Sequence, residues 1–168
     1  MARYLILDGY NLIGALARYA TRSTGSLEES RELLINDALK AAGWTGREII
    51  IVFDAAQNPD PGRTELRAGG TVRVIYSAPK ESADDVIESL VKSLDGTATV
   101  FTADFSLQRV VLACGATRST PREFEELLDE LPAVTRIPEK PFRVRVSDQL
   151  SPETLRSLEA LRRKAEGR

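Results

Sequence analysis

Four carboxylates are placed where chemistry is done. Asp8 closes the apolar run Tyr4-Leu5-Ile6-Leu7, Asp54 closes Glu48-Ile49-Ile50-Ile51-Val52-Phe53, and Asp104 stands just beyond the apolar stretch 97–102. Asp84 lies in Glu81-Ser82-Ala83-Asp84-Asp85-Val86-Ile87-Glu88. A charge at the end of a buried strand is costly unless something compensates it. Taken singly, these acids have modest explanations: Asp8-Gly9 is a common turn pair, and Asp104 suits a helix N-cap. Together they suggest more, because sites in open α/β sheets form at the carboxyl ends of the strands. Acids from three such ends would share one rim. Crowded carboxylates cannot all stay ionised without a counter-charge, and the simplest is a hard divalent cation. Mg²⁺ or Mn²⁺ takes oxygen ligands, keeps several waters and needs only a few carboxylates. Such an ion activates a water and neutralises a phosphate oxygen, the chemistry of phosphodiester hydrolysis.

The composition narrows the options. The 168 residues contain no histidine, which removes His-based triads and the commonest general base. Cys114 is the single cysteine, so an internal disulfide and a cysteine-cluster zinc site are excluded, and core packing is its expected role. The apolar and charged fractions, 42% and 29%, are those of an ordinary globular protein. No apolar run reaches the length of a membrane span, and the first residues lack the features of a secretion signal. A cytoplasmic location is the expectation. The net charge of −2 conceals an asymmetry: residues 136–168 hold nine Lys/Arg against five Asp/Glu, and the preceding residues fourteen against twenty. A basic end can attract a polyanion or simply be solvated.

The elements that must carry the acids follow from the hydrophobic pattern. Residues 3–8, 48–53, 71–76 and 97–102 read as strands, with a short last one at 116–119. The second is apolar throughout its interior, as in a parallel sheet covered on both faces. Helices are expected from the capping box at Ser26 to near Gly43, over 82–94, over 105–114 before Gly115, and from Thr120-Pro121-Arg122-Glu123 to about 131. Residues 12–25 and 55–70 read as irregular, the second being rich in Pro and Gly. Strands alternating with helices give an α/β fold with a mostly parallel sheet. At 100° per residue, Ala83, Ile87, Leu90, Val91 and Leu94 share one arc of the 82–94 helix. Asp84 lies beside that arc and Asp85 on the far side. This favours Asp84 for the site, whereas acids in a first turn also serve the helix dipole.

In order along the chain, Leu7-Asp8-Gly9-Tyr10-Asn11, Val52-Phe53-Asp54, Glu81-Ser82-Ala83-Asp84 and Thr102-Ala103-Asp104 resemble the motifs of the NYN domain family, a PIN-like nuclease group. Gln108-Arg109 and the stretch from Gly115 to Glu123 resemble its YacP-like branch. The resemblance covers roughly residues 3–128. It implies a PIN-like three-layer α/β/α sandwich with a mostly parallel central sheet, and a metal-dependent endoribonuclease acting on messenger RNA, in association with the ribosome. It implies Asp8, Asp84 and Asp104 as metal ligands and catalytic centre, with Asp54 binding the metal or orienting water beside them. Asn11 would orient the loop or a metal-bound water. Arg31, Gln108 and Arg118 would line the rim, where arginine can grip phosphate bidentately or serve as a structural salt bridge. The family usually has serine where Ala103 stands here.

The chain divides, on this reading, into a nuclease domain over 1–131 and a C-terminal extension over 132–168. The extension would hold a connector, an edge strand near 142–146 and a basic helix after Ser151-Pro152. Arg118, Arg143, Arg145, Arg162, Arg163 and Lys164 would steer RNA; no base-stacking motif is evident. Two rivals follow from the same residues. One is a PIN-like module that binds RNA or the ribosome without cutting. The other is a phosphatase of the haloacid dehalogenase type, which wants Asp-x-Asp after the first strand, a pattern that Tyr10 breaks.

Overall fold

The computed structural model describes residues 2–20, 25–57 and 61–132. The chain runs β1 (Tyr4–Asp8), α1 (Gly9–Ala15), α2 (Leu27–Thr45), β2 (Glu48–Phe53), β3 (Thr64–Arg67), β4 (Val72–Tyr76), α3 (Ala83–Ser93), β5 (Ala98–Phe101), α4 (Phe105–Ala113), β6 (Thr117–Ser119) and α5 (Pro121–Asp129). The six strands form one sheet in the order β3-β4-β2-β1-β5-β6. Every pairing is parallel except that of β3 with β4. Helices cover both faces, so the fold is the expected three-layer α/β/α sandwich.

Alternation along β1 sorts the two layers. Leu5 and Leu7 face α1, α2 and α5, in a core with Leu12, Leu34, Ile35, Phe53 and Phe124. Ile6 faces the other way, into a core with Ile50, Val52, Ile87, Val91, Leu107 and Val111 from β2, α3 and α4. Burying each such side chain is worth about 1.5–3 kcal/mol. These two cores hold the sheet between its helices, with β1 near the centre. The chain winds outward from β1 through β2 to β4, then returns to the other side of β1 with β5 and β6. The change of direction falls between β1 and β5, and the crevice at such a switch point is where ligands bind in this class of fold.

Three local expectations are corrected. Residues 12–25 are not irregular throughout: β1 passes directly into α1, and Ala17–Tyr19 adds a 3-10 turn. Gly9 is therefore not a turn glycine but the first residue of a helix, and its value is the absence of a side chain. A Cβ there would overlap the Phe53 ring and stand 2.9 Å from the Val52 carbonyl oxygen. Second, the stretch 55–70 contains β3, whose alternating residues pair antiparallel with β4. Third, α2 does not stop near Gly43 but runs on to Thr45, where Gly46 takes the left-handed conformation (φ 67°) that favours glycine. Cys114 is partly buried against the α3/α4 core.

Among the described residues no helix is long and apolar enough to cross a membrane. The possible strand at 142–146, the basic helix after Ser151 and the residues Arg143, Arg145, Arg162, Arg163 and Lys164 lie outside the described residues.

Candidate active site

Asp8 sits at the last position of β1, level with Val52 of β2. It is 7% exposed, with no ion pair among the described residues. Its Oδ2 accepts a hydrogen bond from the Thr102 hydroxyl at 2.9 Å. Burial pushes its carboxyl up to about 6, and the charges of Asp84 and Asp104 add to the rise. The Thr102 hydroxyl and the Asn11 backbone N–H pull the other way and are overcome. The question posed by a charge at the end of a buried strand thus has a physical answer: Asp8 is held by neutral donors and faces other acids.

Asp104 follows β5 and caps α4. Its Oδ1 accepts from the Ser106 and Leu107 N–H groups at 2.7 and 3.2 Å, and its Oδ2 takes neither bond. Thr102 ties this acid to Asp8, because its hydroxyl oxygen also accepts the Asp104 N–H at 3.1 Å. Asn11, in α1, closes the crevice from the other side: its Oδ1 accepts the Ala103 N–H at 2.7 Å. This bond joins α1 to the loop after β5.

Asp84 is an exposed residue in the first turn of α3. Partial burial raises its pKa, and the charges of Asp104, Asp85 and Asp54 raise it further. Its neighbour Asp85 belongs to the helix instead. Asp85 and Ser82 form a reciprocal capping box, with the Asp85 carboxylate accepting from both the N–H and the hydroxyl of Ser82. The helical angle that set Asp84 toward the sheet and Asp85 away from it corresponds to this division of labour.

Asp54 does local work too. Its Oδ1 accepts the Ala56 N–H at 2.8 Å and its Oδ2 the Ala83 N–H at 3.1 Å. It fastens the end of β2 to the start of α3 and so fixes Asp84. An open cleft of about 490 Å³ beside it is lined by Ala55, Pro61, Pro79, Lys80 and Glu81, among others.

The three residues expected to line the rim for phosphate have different positions. Gln108 is buried and serves as a connector: its Nε2 donates to the Thr102 carbonyl at 2.7 Å and its Oε1 accepts from Arg118 Nη1 at 2.8 Å. Arg118, on β6, is exposed. Arg31 donates to the Tyr10 hydroxyl at 2.9 Å, and Tyr10 packs on Phe53 with ring centroids 4.9 Å apart. Thr102 was not singled out by sequence, since a threonine at a strand end is also what β-propensity supplies. Its value lies in bonding two acids at once.

The acids feel one another's charge, yet among the described residues no group of three or more acidic, cysteine or histidine side chains comes together as a ready-made ligand set. Asp8, Asp84 and Asp104, expected to converge as metal ligands, are thus not a preformed ligand set. The donor set still suits a hydrated hard cation. All its groups are oxygens, their charges are mutually uncompensated, and Mg²⁺ is usually held by one or two carboxylates plus waters and substrate phosphates, without a dedicated cage.

Comparison with known proteins agrees with this architecture. The YacP-like NYN domain model matches residues 5–163, which carries the similarity well past the stretch legible by motif. The protein YacP of Bacillus subtilis (strain 168), described as uncharacterized, is 34% identical over 168 residues, 95% of this chain and 96% of its own. A crystal structure of Rae1 (YacP) from Bacillus subtilis superposes with a TM-score of 0.65 at 31% identity, over 95% of this chain and 94% of that one. A mutant structure of the same protein gives a TM-score of 0.64 at 32% identity over 76% of each chain.

Proposed function

The chain belongs to the YacP-like NYN domain family and has its nuclease-like PIN-type fold, and from that premise we propose that it is a Mg²⁺- or Mn²⁺-dependent endoribonuclease. The carrying observation is that Thr102 bonds both the Asp8 carboxylate and the Asp104 backbone across the β1/β5 switch point of the sheet, and the rise of the Asp8 carboxyl under the charges of Asp84 and Asp104 supports it. Asp8, Asp84 and Asp104 would hold the cation. When bound, it supplies a water of lowered pKa and neutralises charge on a phosphate oxygen.

The chain's own residues set the rest. Thr102 locks the orientation of Asp8 and the backbone of Asp104. Asn11 pins the Ala103 loop, and Asp54 anchors the first turn of α3. Gln108 links Arg118 to the same strand end, leaving an exposed guanidinium on the rim to meet a backbone phosphate. Messenger RNA, engaged at the ribosome in the cytoplasm, is the substrate that the family resemblance implies.

One rival gains from a specific observation. A module that binds RNA or the ribosome without cutting has no need of a closed ligand set, and none is present among the described residues. Cleavage of a single-stranded RNA with Mn²⁺, comparing wild type with Asp84→Asn, separates the two. The nuclease reading expects wild-type cleavage that EDTA stops and the variant lacks. Equal behaviour of the two proteins would favour the module.

A further inference from the structure

Phe105 is the most exposed large apolar residue of the described chain, at 80%. It is the first residue of α4, directly after the N-cap Asp104. Consecutive Cα atoms are only about 3.8 Å apart, so the backbone of Phe105 adjoins that of Asp104. Leu107 and Val111 turn the other side of α4 into the core, and Gln108 is buried beneath Thr102. One turn on from Phe105, Arg109 lies on the same helix face. It is exposed, and it has no carboxylate partner among the described residues. Arg109 also lines a shallow depression with Ser106, Val110 and Ala113.

An exposed aromatic side chain, a guanidinium one turn away with no carboxylate partner among the described residues, and the acid Asp104 beside them in the chain are the parts of a single-strand binding path. Bases stack on aromatic side chains irrespective of sequence, and cations track the backbone. We propose that Phe105 is a stacking platform for a nucleobase of single-stranded RNA next to the reacting phosphate, with Arg109 meeting the phosphate that follows. The proposal rests on the nuclease reading above and extends it by supplying the base contact that the sequence motifs did not reveal. Arg109 provides the charge complementarity: the acids of the crevice repel the nucleic acid backbone, and a cation one helical turn away gives it a place to lie. The stacked base and the held phosphate together would fix the register of the strand against Asp104.

The test is a binding cycle in EDTA, where the RNA stays intact. The full-length wild type and Phe105→Ala are titrated with a fluorescent single-stranded RNA, and with a series in which each base in turn is removed to leave an abasic site. Phe105→Ala should weaken binding to the intact RNA about 5- to 100-fold. At one position, an abasic site should cost wild type a similar factor and cost the variant little, since a shared contact cannot be lost twice. Phe105→Trp should retain wild-type affinity. Arg109→Ala should reduce the salt dependence of binding by about one phosphate contact. Because the ring is exposed, an unchanged melting temperature shows that Phe105→Ala is folded. Wild-type affinity in Phe105→Ala, or no position that couples to it, overturns the platform and leaves the ring to a protein partner. If wild type cuts RNA with Mn²⁺ in that case, the nuclease reading stands without the platform. If wild type neither binds nor cuts RNA, both fall.

Discussion

Asp8 and Asp37 are both buried carboxylates, 7% and 9% exposed, and the protein treats them in opposite ways. Asp37, in α2, is answered by cations: Arg18 Nε lies at 3.3 Å and Lys40 Nζ at 3.1 Å, and the Tyr19 hydroxyl donates at 3.1 Å. Asp8 receives a hydroxyl and faces acids. The two sites share a residue type and a degree of burial, so neither property marks function. What differs is compensation. A carboxylate whose charge is already met by arginine and lysine ties elements together, here the 3-10 turn at Ala17–Tyr19 to α2. One whose charge is left unmet is available to something the chain does not itself contain.

The largest expected contrast is in catalysis. Asp8→Asn and Asp84→Asn should each lower Mn²⁺-dependent RNA cleavage by about 100-fold or more, since several kcal/mol of charge stabilisation would be lost. Asp37→Asn should leave the rate within about threefold of wild type, measured on the same RNA. A deep loss in Asp37→Asn with an unchanged fold would erase the distinction.

The contrast should next appear in the pH dependence of stability. The folded state holds a proton on Asp8 up to about pH 6, whereas an unfolded chain releases it near 3.8. Between those values the native state binds more protons, so the contribution is full below about 3.8 and is lost as pH rises through about 6. The loss is worth about 3 kcal/mol. Urea denaturation of the metal-free protein from pH 4 to 7 should therefore show a downward component that Asp8→Asn abolishes. Without that component, the environment assigned to Asp8 would be wrong.

At pH 7 the same substitution should have opposite signs at the two sites. Asp37→Asn should destabilise the metal-free protein by about 1–3 kcal/mol, because Arg18 and Lys40 lose their partner, a loss tempered by their access to water. Asp8→Asn should stabilise it by about 1–2 kcal/mol by removing an unmet charge. The last effect, of similar size, belongs to the link between the acids. Thr102→Val, close in shape but without the hydroxyl, should cost about 1–2 kcal/mol by leaving the Asp104 N–H without its acceptor. Thr102→Ser should recover most of it, as read by the same denaturation curves.

How much of this was legible depended on the range of the interaction involved. The apolar strands, the capping box at Thr120 and the α3 arc that separates Asp84 from Asp85 are written within a few residues, and all appear in the structure. Elements that need a distant partner were hidden. The short helix α1 carries two glycines and forms because Leu12 is buried in the core. Strand β3 sits in a Pro/Gly-rich window and is specified by its pairing with β4. Within the site, the order of the acids along the chain and their places at strand ends and at the start of α3 were readable. The role of Thr102 was not, because it joins Asp8 across 94 positions of sequence. Gln108 was placed on the rim by resemblance, and only its two bonds reveal it as a buried strut.

The outermost strands have a consequence for crowded solution. On one side β6 offers only three residues. On the other, β3 has four residues, and its Glu65 pairs with Arg63 and with Arg67, so that among the described residues this edge carries fixed charges. A newcomer strand would find too short a template at one border and a fringe of fixed ions at the other. Among the described residues, both borders of the sheet thereby discourage growth into continuous ribbons, even though the interior strands between them have the apolar composition that favours it.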